Sequence, residues 1–355
     1  MSVLFIVLII LAVAVTKFYM NVPDETDSGN SQTRIVKKLE IDSDGNRVFE
    51  NETGLFGIVD LKDRIIVAPE WIELDFTSGK TCIASKRIGG KLLTGCIDYE
   101  GNIVIPFIYR NIVKYEYEGF VFYVADADSD GSCVIYNSEF SPVFNRSWKN
   151  CSVNKNEVTL ESEYGIYSYN ASADGMIFKS ASLSGEIMGC EYSLDLFSRV
   201  ILSKINTVML EEMLKITERY IEYAYTGEEE ILSSVTSGNR TAFKKLFADD
   251  HKVLSKKLSK ISEIYVYSKK SEDDIPHYAV TITTETEISY SDKNGELRTF
   301  SDEYKADVEF SGNSAKNLTA VEGKFRQSEP IYPSEEETQK EVSAEKHEKE
   351  KSAFV

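Results

Sequence analysis

The stretch Gly95 to Tyr109, GCIDYEGNIVIPFIY, reads as two short apolar strands folded about a Glu-Gly-Asn turn, and Gly57 to Trp71, GIVDLKDRIIVAPEW, repeats its skeleton. The shared pattern is Gly-x-Ile/Val-Asp, a polar turn, an apolar run, Pro and an aromatic residue. Degenerate copies follow at Ser132 to Trp148 and Tyr164 to Phe178, and Leu39 opens a partial first copy. Alternation within each copy predicts a strand with one buried face, and the Asp/Asn/Gly clusters between runs are turn chemistry. A lone hairpin is marginal in water, so the copies must share a core. The recurring aromatics Phe56, Trp71, Phe107, Tyr109, Trp148 and Tyr164 are expected in ladders between copies.

These two stretches resemble WG repeats, bacterial modules of the form Trp-Gly-x-Ile-Asp, turn, apolar run, Pro, aromatic. The resemblance covers roughly residues 39 to 180. Phe56, Thr94 and Tyr164 stand where the family has Trp, and Ser132 has replaced the glycine of the third copy. The resemblance implies an all-β repeat array presenting a surface of β-hairpin repeats, and no reaction.

After a poorly patterned stretch near Ser180 to Arg199, the period changes. From Ile205, the positions Met209, Met213, Ile216 and Tyr220 recur at helical spacing opposite Glu and Lys, and Gly227 ends the helix. Thr241 to Ile261 continues as an expected basic-faced helix carrying Lys244, Lys245, Lys252, Lys256, Lys257 and Lys260. Then the period falls to two over Glu263 to Ser268, His277 to Tyr290, Leu297 to Phe310 and Asn317 to Arg326, with Asn294-Gly295 as a hairpin signal. Helices followed by antiparallel strands predict an α+β domain. Its order, with Tyr220 to Leu232 as the helix end, resembles the NTF2-like cone of membrane-anchored conjugation and type IV secretion assembly proteins, over roughly residues 205 to 327. The closing strand LTAVEGKFR lacks that family's Trp-x-Val. The resemblance implies a curved sheet wrapped on helices, an assembly or protein-contact module, although other members of the superfold are enzymes.

Residues Val3 to Val15 carry no polar side chain and, with flanking residues to Val22, predict an N-terminal transmembrane helix. The rival is a signal peptide cut near Ala12-Val13-Ala14. Lys17, Arg34, Lys37 and Lys38 follow the span, which counted literally favours a cytoplasmic soluble part, but a single N-terminal span before a long soluble region is the common layout of an exported protein. The expected protein is therefore single-pass in the cell membrane with its soluble part extracytoplasmic. The expected domains are a membrane anchor (1–22), a linker (23–38), the β repeat domain (39–199), the NTF2-like domain (205–327) and a disordered charged tail (328–355). With 355 residues and 42% hydrophobic composition, the chain has material for two cores. Its formal net charge of -18 repels phosphate backbones and excludes nucleic-acid partners.

Candidate chemistry is sparse. Asp126, Asp128 and Asp130, followed by Gly131, have the spacing that opens a calcium loop, but Asn137 stands where the bidentate Glu belongs, so an acidic hairpin tip is the competing reading. No other cofactor is implied. His251, His277 and His347 lie in no catalytic setting. The five cysteines, Cys82, Cys96, Cys133, Cys151 and Cys190, contain no Cys-x-x-Cys and read as packed thiols, with at most one disulfide. Tyr115 and Tyr117, alternating with Glu, are candidate binding anchors, and Lys244, Lys245, Lys256 and Lys257 a candidate contact for an anionic partner. The expected function is non-enzymatic: a bacterial envelope scaffold acting through protein contacts, with oligomerisation open. The alternatives are a small-ligand isomerase or hydrolase using a cone pocket, and a calcium or ligand sensor.

Overall fold

The computed structural model describes residues 35–77, 79–196, 206–246, 253–269, 275–292 and 294–327. These fall into two compact units, one holding the described residues up to 163 with 168–177 and one holding 164–167 with the described residues from 178 on. The described chain is mostly strand. One sheet runs β1 (Ile35–Ile41), β2 (Arg47–Asn51), β3 (Phe56–Val59), β4 (Ile65–Trp71). The next runs β5 (Glu73–Phe76), β6 (Thr81–Ile88), β7 (Lys91–Asp98), β8 (Ile103–Tyr117), β9 (Phe120–Ala127), β10 (Cys133–Asn137). A third holds β11 (Asn150–Asn154), β12 (Glu157–Glu161), β13 (Gly165–Ser172), β14 (Gly175–Ile187) and β15 (Cys190–Leu196), with β13 and β14 giving residues to both units. In the second unit, α1 (Thr207–Thr226) and α2 (Glu229–Val235) precede β16 (Val253–Lys269), β17 (His277–Ser291), β18 (Leu297–Ser311) and β19 (Thr319–Gln327), an antiparallel sheet in chain order.

One turn recurs six times. At Asp42, Asn51, Asp60, Asp98, Asn137 and Asp292, the side-chain Oδ1 accepts the backbone N–H groups two and four residues on, at 2.8–3.0 Å. The residue three on has positive φ: Gly101 at 84°, but also Asp63 at 58° and Phe140 at 59°. This local acceptor replaces a backbone partner inside the turn, and the left-handed residue lets the strands leave in register. Asp42 and Asp98 are stabilised as carboxylates: burial works against them, but hydrogen bonds from Tyr99 and Asn46, and from Asn102, hold their pKa values below the ordinary range.

Above the turns, Gly57 and Gly95 play the same packing role. A Cβ on Gly57 would lie 2.6 Å from the Val67 carbonyl oxygen and 2.8 Å from the Phe49 ring; on Gly95, 2.7 Å from the Ile105 oxygen and 2.9 Å from the Phe107 ring. Trp71 and Phe107 stack at 5.3 Å, with the Lys86 ammonium over both rings. Trp71, Phe107, Tyr109 and Trp148 are buried, whereas Phe56 and Tyr164 are half-buried.

The second unit corrects two expectations. Residues 253–261 are not a basic helix but the first half of β16, hydrogen-bonded to β17 along its length. The reason is visible in the register: bulges at Leu258/Lys260 and Ile261/Glu263 break the two-residue alternation, so the buried residues Leu258, Ile261 and Ile264 come three apart and imitate a helical stripe. The α+β NTF2-like cone is likewise overturned, because the described chain is mostly strand in several antiparallel sheets with two α-helices. The helix that was legible is α1, with Asn206 accepting from Met209 N at its start and Gly227 (φ 77°) closing its end.

The membrane expectation is also corrected. Among the described residues no helix is long and apolar enough to cross a membrane, so a single-pass membrane protein with an extracytoplasmic soluble part is not what the structure supports. The anchor over 1–22 and the charged tail over 328–355 lie outside the described residues, as does the linker apart from residues 35–38, which begin β1.

Asp98→Ala should destabilise the first unit by about 1–2 kcal/mol in urea titration, the range for losing a side-chain acceptor of two backbone donors. Asp98→Asn should lie near wild type at pH 7, because Asn51 and Asn137 fill the same position. Because the folded carboxylates are depressed, their stabilisation is present above pH about 4 and lost as pH falls through the lower folded values, so Asp98→Asn should flatten the acid limb of a stability profile. Gly95→Ala should cost about 1–3 kcal/mol by overpacking, read in the same titration.

Candidate functional site: an acidic cleft between two strand edges

In the second unit, β15 is the outer strand of its sheet and β16 the outer strand of the next. Between them lies a cleft of about 630 Å³, lined by Ser184–Glu186, Glu191–Ser193 and Ile261–Glu263. The β14–β15 pair sets one wall: Ser184 faces Ser193, Gly185 faces Tyr192 and Glu186 faces Glu191. Two carboxylates directly opposed on one ladder repel each other. Glu263, raised on the β16 bulge, adds a third on the far wall. Glu186, Glu191 and Glu263 are exposed, and their carboxylates have no hydrogen-bond or ion-pair partner among the described residues. Cys190 bonds Leu258 O at 3.6 Å, linking the two walls at one end.

Beneath this wall is a fourth carboxyl, that of Glu218. Tyr192, only 5% exposed, donates its hydroxyl to Glu218 Oε1 at 2.6 Å, and Tyr164 donates to Oε2 at 3.2 Å. Glu218 sits on α1, one of a run of polar residues that sequence reading assigned to the solvent face. Burial raises its pKa above the ordinary glutamate value; the tyrosine bonds and the nearby Arg219 and Lys215 pull the other way without cancelling it. Burial also raises the phenol pKa values of Tyr192 and Tyr164, so both remain donors. Gly185 is required here: a Cβ would lie 2.4 Å from the Tyr192 oxygen and 2.7 Å from Glu218 Oε1. The cluster is a hydrogen-bonded floor under an anionic rim.

The sequence-predicted site residues lie elsewhere and do not converge. Tyr115 and Tyr117, at the end of β8, are half-buried and stack on Phe122 at 5.3 and 6.5 Å. Lys244 is exposed, and its backbone N–H donates to Gly323 O. The Lys245 ammonium reaches Gly227 O at 3.3 Å and Glu229 at 3.2 Å. Lys256 donates to Ala224 O at 2.9 Å and to Leu246 O, so both cations cap carbonyls at the end of α1; burial and then Lys245 lower the Lys256 pKa. Lys257 is exposed, opposite Glu287 in register. Asp126 lies on β9 opposite Cys133, Asp128 pairs with Lys91 at 2.5 Å, and Asp130 accepts Ser132 N at 2.9 Å. Among the described residues, no group of three or more His, Cys, Asp or Glu side chains is arranged to hold a metal ion. His277 begins β17, and His251 and His347 lie outside the described residues.

No family model matches the chain, and no curated protein matches it. Among solved structures, a similarity was found to the crystal structure of the tricorn protease, at 8% identity and TM-score 0.19, covering 81% of this chain and 31% of that one. The chain thus spans less than a third of that protein's length, and a likeness of this size carries no argument about fold or activity.

The raised Glu218 pKa has a signed consequence. The folded state holds this proton more tightly than the unfolded state, so stability is fullest below the unfolded glutamate value and falls as pH rises through the folded one. Glu218→Gln should therefore melt at or above the wild-type temperature at pH 7–8, with the difference vanishing near pH 4 in thermal scans.

Proposed function

We propose that this protein is a non-enzymatic binding protein acting through protein contacts, and that the cleft between β15 and β16 receives an extended, positively charged segment of its partner. The observation that carries this reading is the trio Glu186, Glu191 and Glu263, three carboxylates on the walls of one cleft with no partner among the described residues. Glu186 and Glu191 stand directly opposed in the ladder, so their like charges repel. A cationic ligand would relieve that repulsion, and the cleft's two strand edges offer backbone groups to an extended chain. The net charge of -18 would steer such a partner toward the protein.

Fluorescence anisotropy with a labelled Lys/Arg-rich peptide tests the reading. Glu186→Gln/Glu191→Gln/Glu263→Gln should weaken binding at least about tenfold and flatten its salt dependence. Equal affinity for the triple variant, or equal binding of a Glu-rich peptide, would sink it.

Glu218 favours a second reading, acid–base catalysis, because a carboxyl with raised proton affinity bonded to a phenol at the cleft floor is a pairing such chemistry uses. Under that reading, turnover of a small ester or isomerase substrate would be lost in both Glu218→Gln and Tyr192→Phe, while peptide anisotropy would not change.

A further inference from the structure

Beyond the cleft, β16 continues as a row of outward side chains. From Glu263 to Lys269 its register against β17 is unbroken and Ile264 and Val266 are buried, so Glu263, Tyr265, Tyr267 and Lys269 share the opposite face of the strand. Tyr265 is 54% exposed and Tyr267 39%, and among the described residues they are the two exposed tyrosines; the others are buried or half-buried. Across the ladder stand Thr281 and Ala279, small residues that bring no large side chain over the rings. β16 is the outer strand of its sheet, and neither ring stacks on another or makes a side-chain hydrogen bond among the described residues.

The carboxylates on this face of the sheet are satisfied except at one end. Asp307, opposite Thr281 on β18, is buried, accepts Thr281 Oγ1 at 2.6 Å and is paired with Arg326. Glu309, opposite Ala279, is held by Lys269 at 2.5 Å and by Lys324 at 3.5 Å. Glu263 opens the row without a cation, at the point where it also lines the cleft. Along the strand, one free carboxylate is thus followed by two exposed rings and then by Lys269, whose charge closes the row to a further cation. Residues two apart on a strand stand about 6.7 Å from each other, the spacing at which an extended peptide repeats its own same-face side chains. Three consecutive same-face side chains of such a peptide therefore meet a carboxylate, a ring and a ring.

We propose that the partner segment received by the cleft runs on along β16 as an arginine-rich peptide with arginine at alternate positions, its first guanidinium on Glu263 and the next two stacked on Tyr265 and Tyr267. This rests on the cleft's receiving an extended, positively charged segment, and adds which cation the site selects and at what spacing. A guanidinium is planar and weakly hydrated: it lies flat on an aromatic face, and its edge donates two parallel hydrogen bonds to a carboxylate. An ammonium is compact and strongly hydrated, and it loses more of its water on settling against a ring. Glu263 alone would accept either cation. The two tyrosines behind it make the choice, and Lys269 ends the run after three positions.

Fluorescence anisotropy on the full chain compares labelled peptides of equal length and charge: alternating Arg-Thr, alternating Lys-Thr, and a block of Arg followed by a block of Thr. The alternating Arg peptide should bind wild type at least about fivefold more tightly than either of the others. Tyr265→Leu/Tyr267→Leu, which keeps apolar bulk but removes the rings, should bring the alternating Arg peptide down to the Lys value and leave the Lys value unchanged. Tyr265→Phe/Tyr267→Phe should retain the preference. The proposal is overturned if the Lys or the blocked Arg peptide binds wild type within about twofold of the alternating Arg peptide, or if the Leu variant keeps the preference. In those cases the cleft reading stands so long as Glu186→Gln/Glu191→Gln/Glu263→Gln still weakens binding. If no peptide binds wild type, or the triple variant binds them unchanged, the cleft reading and the proposal fall together. Should the Leu variant fail to fold, the comparison of the three peptides on wild type still decides.

Discussion

A side-chain oxygen that accepts two backbone N–H groups, two and four residues on, sets the ends of hairpins in both units. Because strand side chains alternate between faces, a turn one residue longer or shorter would move Ile58, Ile97 or Ile105 from the core to water. The acceptor at Asp60 or Asp98 prevents that slip by making one loop length better satisfied than its neighbours. The close contacts at Gly57 and Gly95 then become possible, since those residues stand at a fixed distance from the turn. The stacked Trp71 and Phe107 rings rest on the same spacing.

Much of this was legible because it is local. Gly-x-Ile/Val-Asp followed by a polar turn names both the close approach and the acceptor, and both lie within a few residues of each other. The ends of α1 were equally plain, since Gly227 is a local stop signal. The long strands of the second unit followed from their period of two, with β17 and β18 close to the expected limits. The first half of β16 was not legible, because its bulges convert a strand pattern into one resembling a helix, and only pairing with β17 decides between them. Lys245 and Lys256 read as part of a basic helix face open to an anionic partner; their partners, carbonyls at the end of α1, come from distant parts of the sequence.

The cleft escaped sequence reading altogether. Its residues come from three separated stretches, and Ser180 to Arg199 had no pattern strong enough to assign. One signal was available in retrospect: Gly185 and Tyr192 flank a short hairpin whose opposed partners are both Glu, an arrangement with no benefit to a strand pair on its own. Glu218 lay hidden among the charged residues of α1, because a helix places a carboxyl on a buried or an exposed face according to what packs there. Chemistry assembled across elements is the part of a fold that composition and period do not carry.

Among the described residues, the strand order within each of the four sheets follows the order of the chain. Pairing therefore closes short loops, and the chain entropy lost before the first contacts form is small for an all-β arrangement. As the polypeptide leaves the ribosome, each hairpin meets its partner strand almost at once, with few unpaired edges waiting for a distant segment. The exception is α1, whose Tyr225 hydroxyl reaches Thr286 at 2.6 Å on a strand made much later. In the second unit, an early helix must wait, with its apolar stripe uncovered, for the sheet that will receive it.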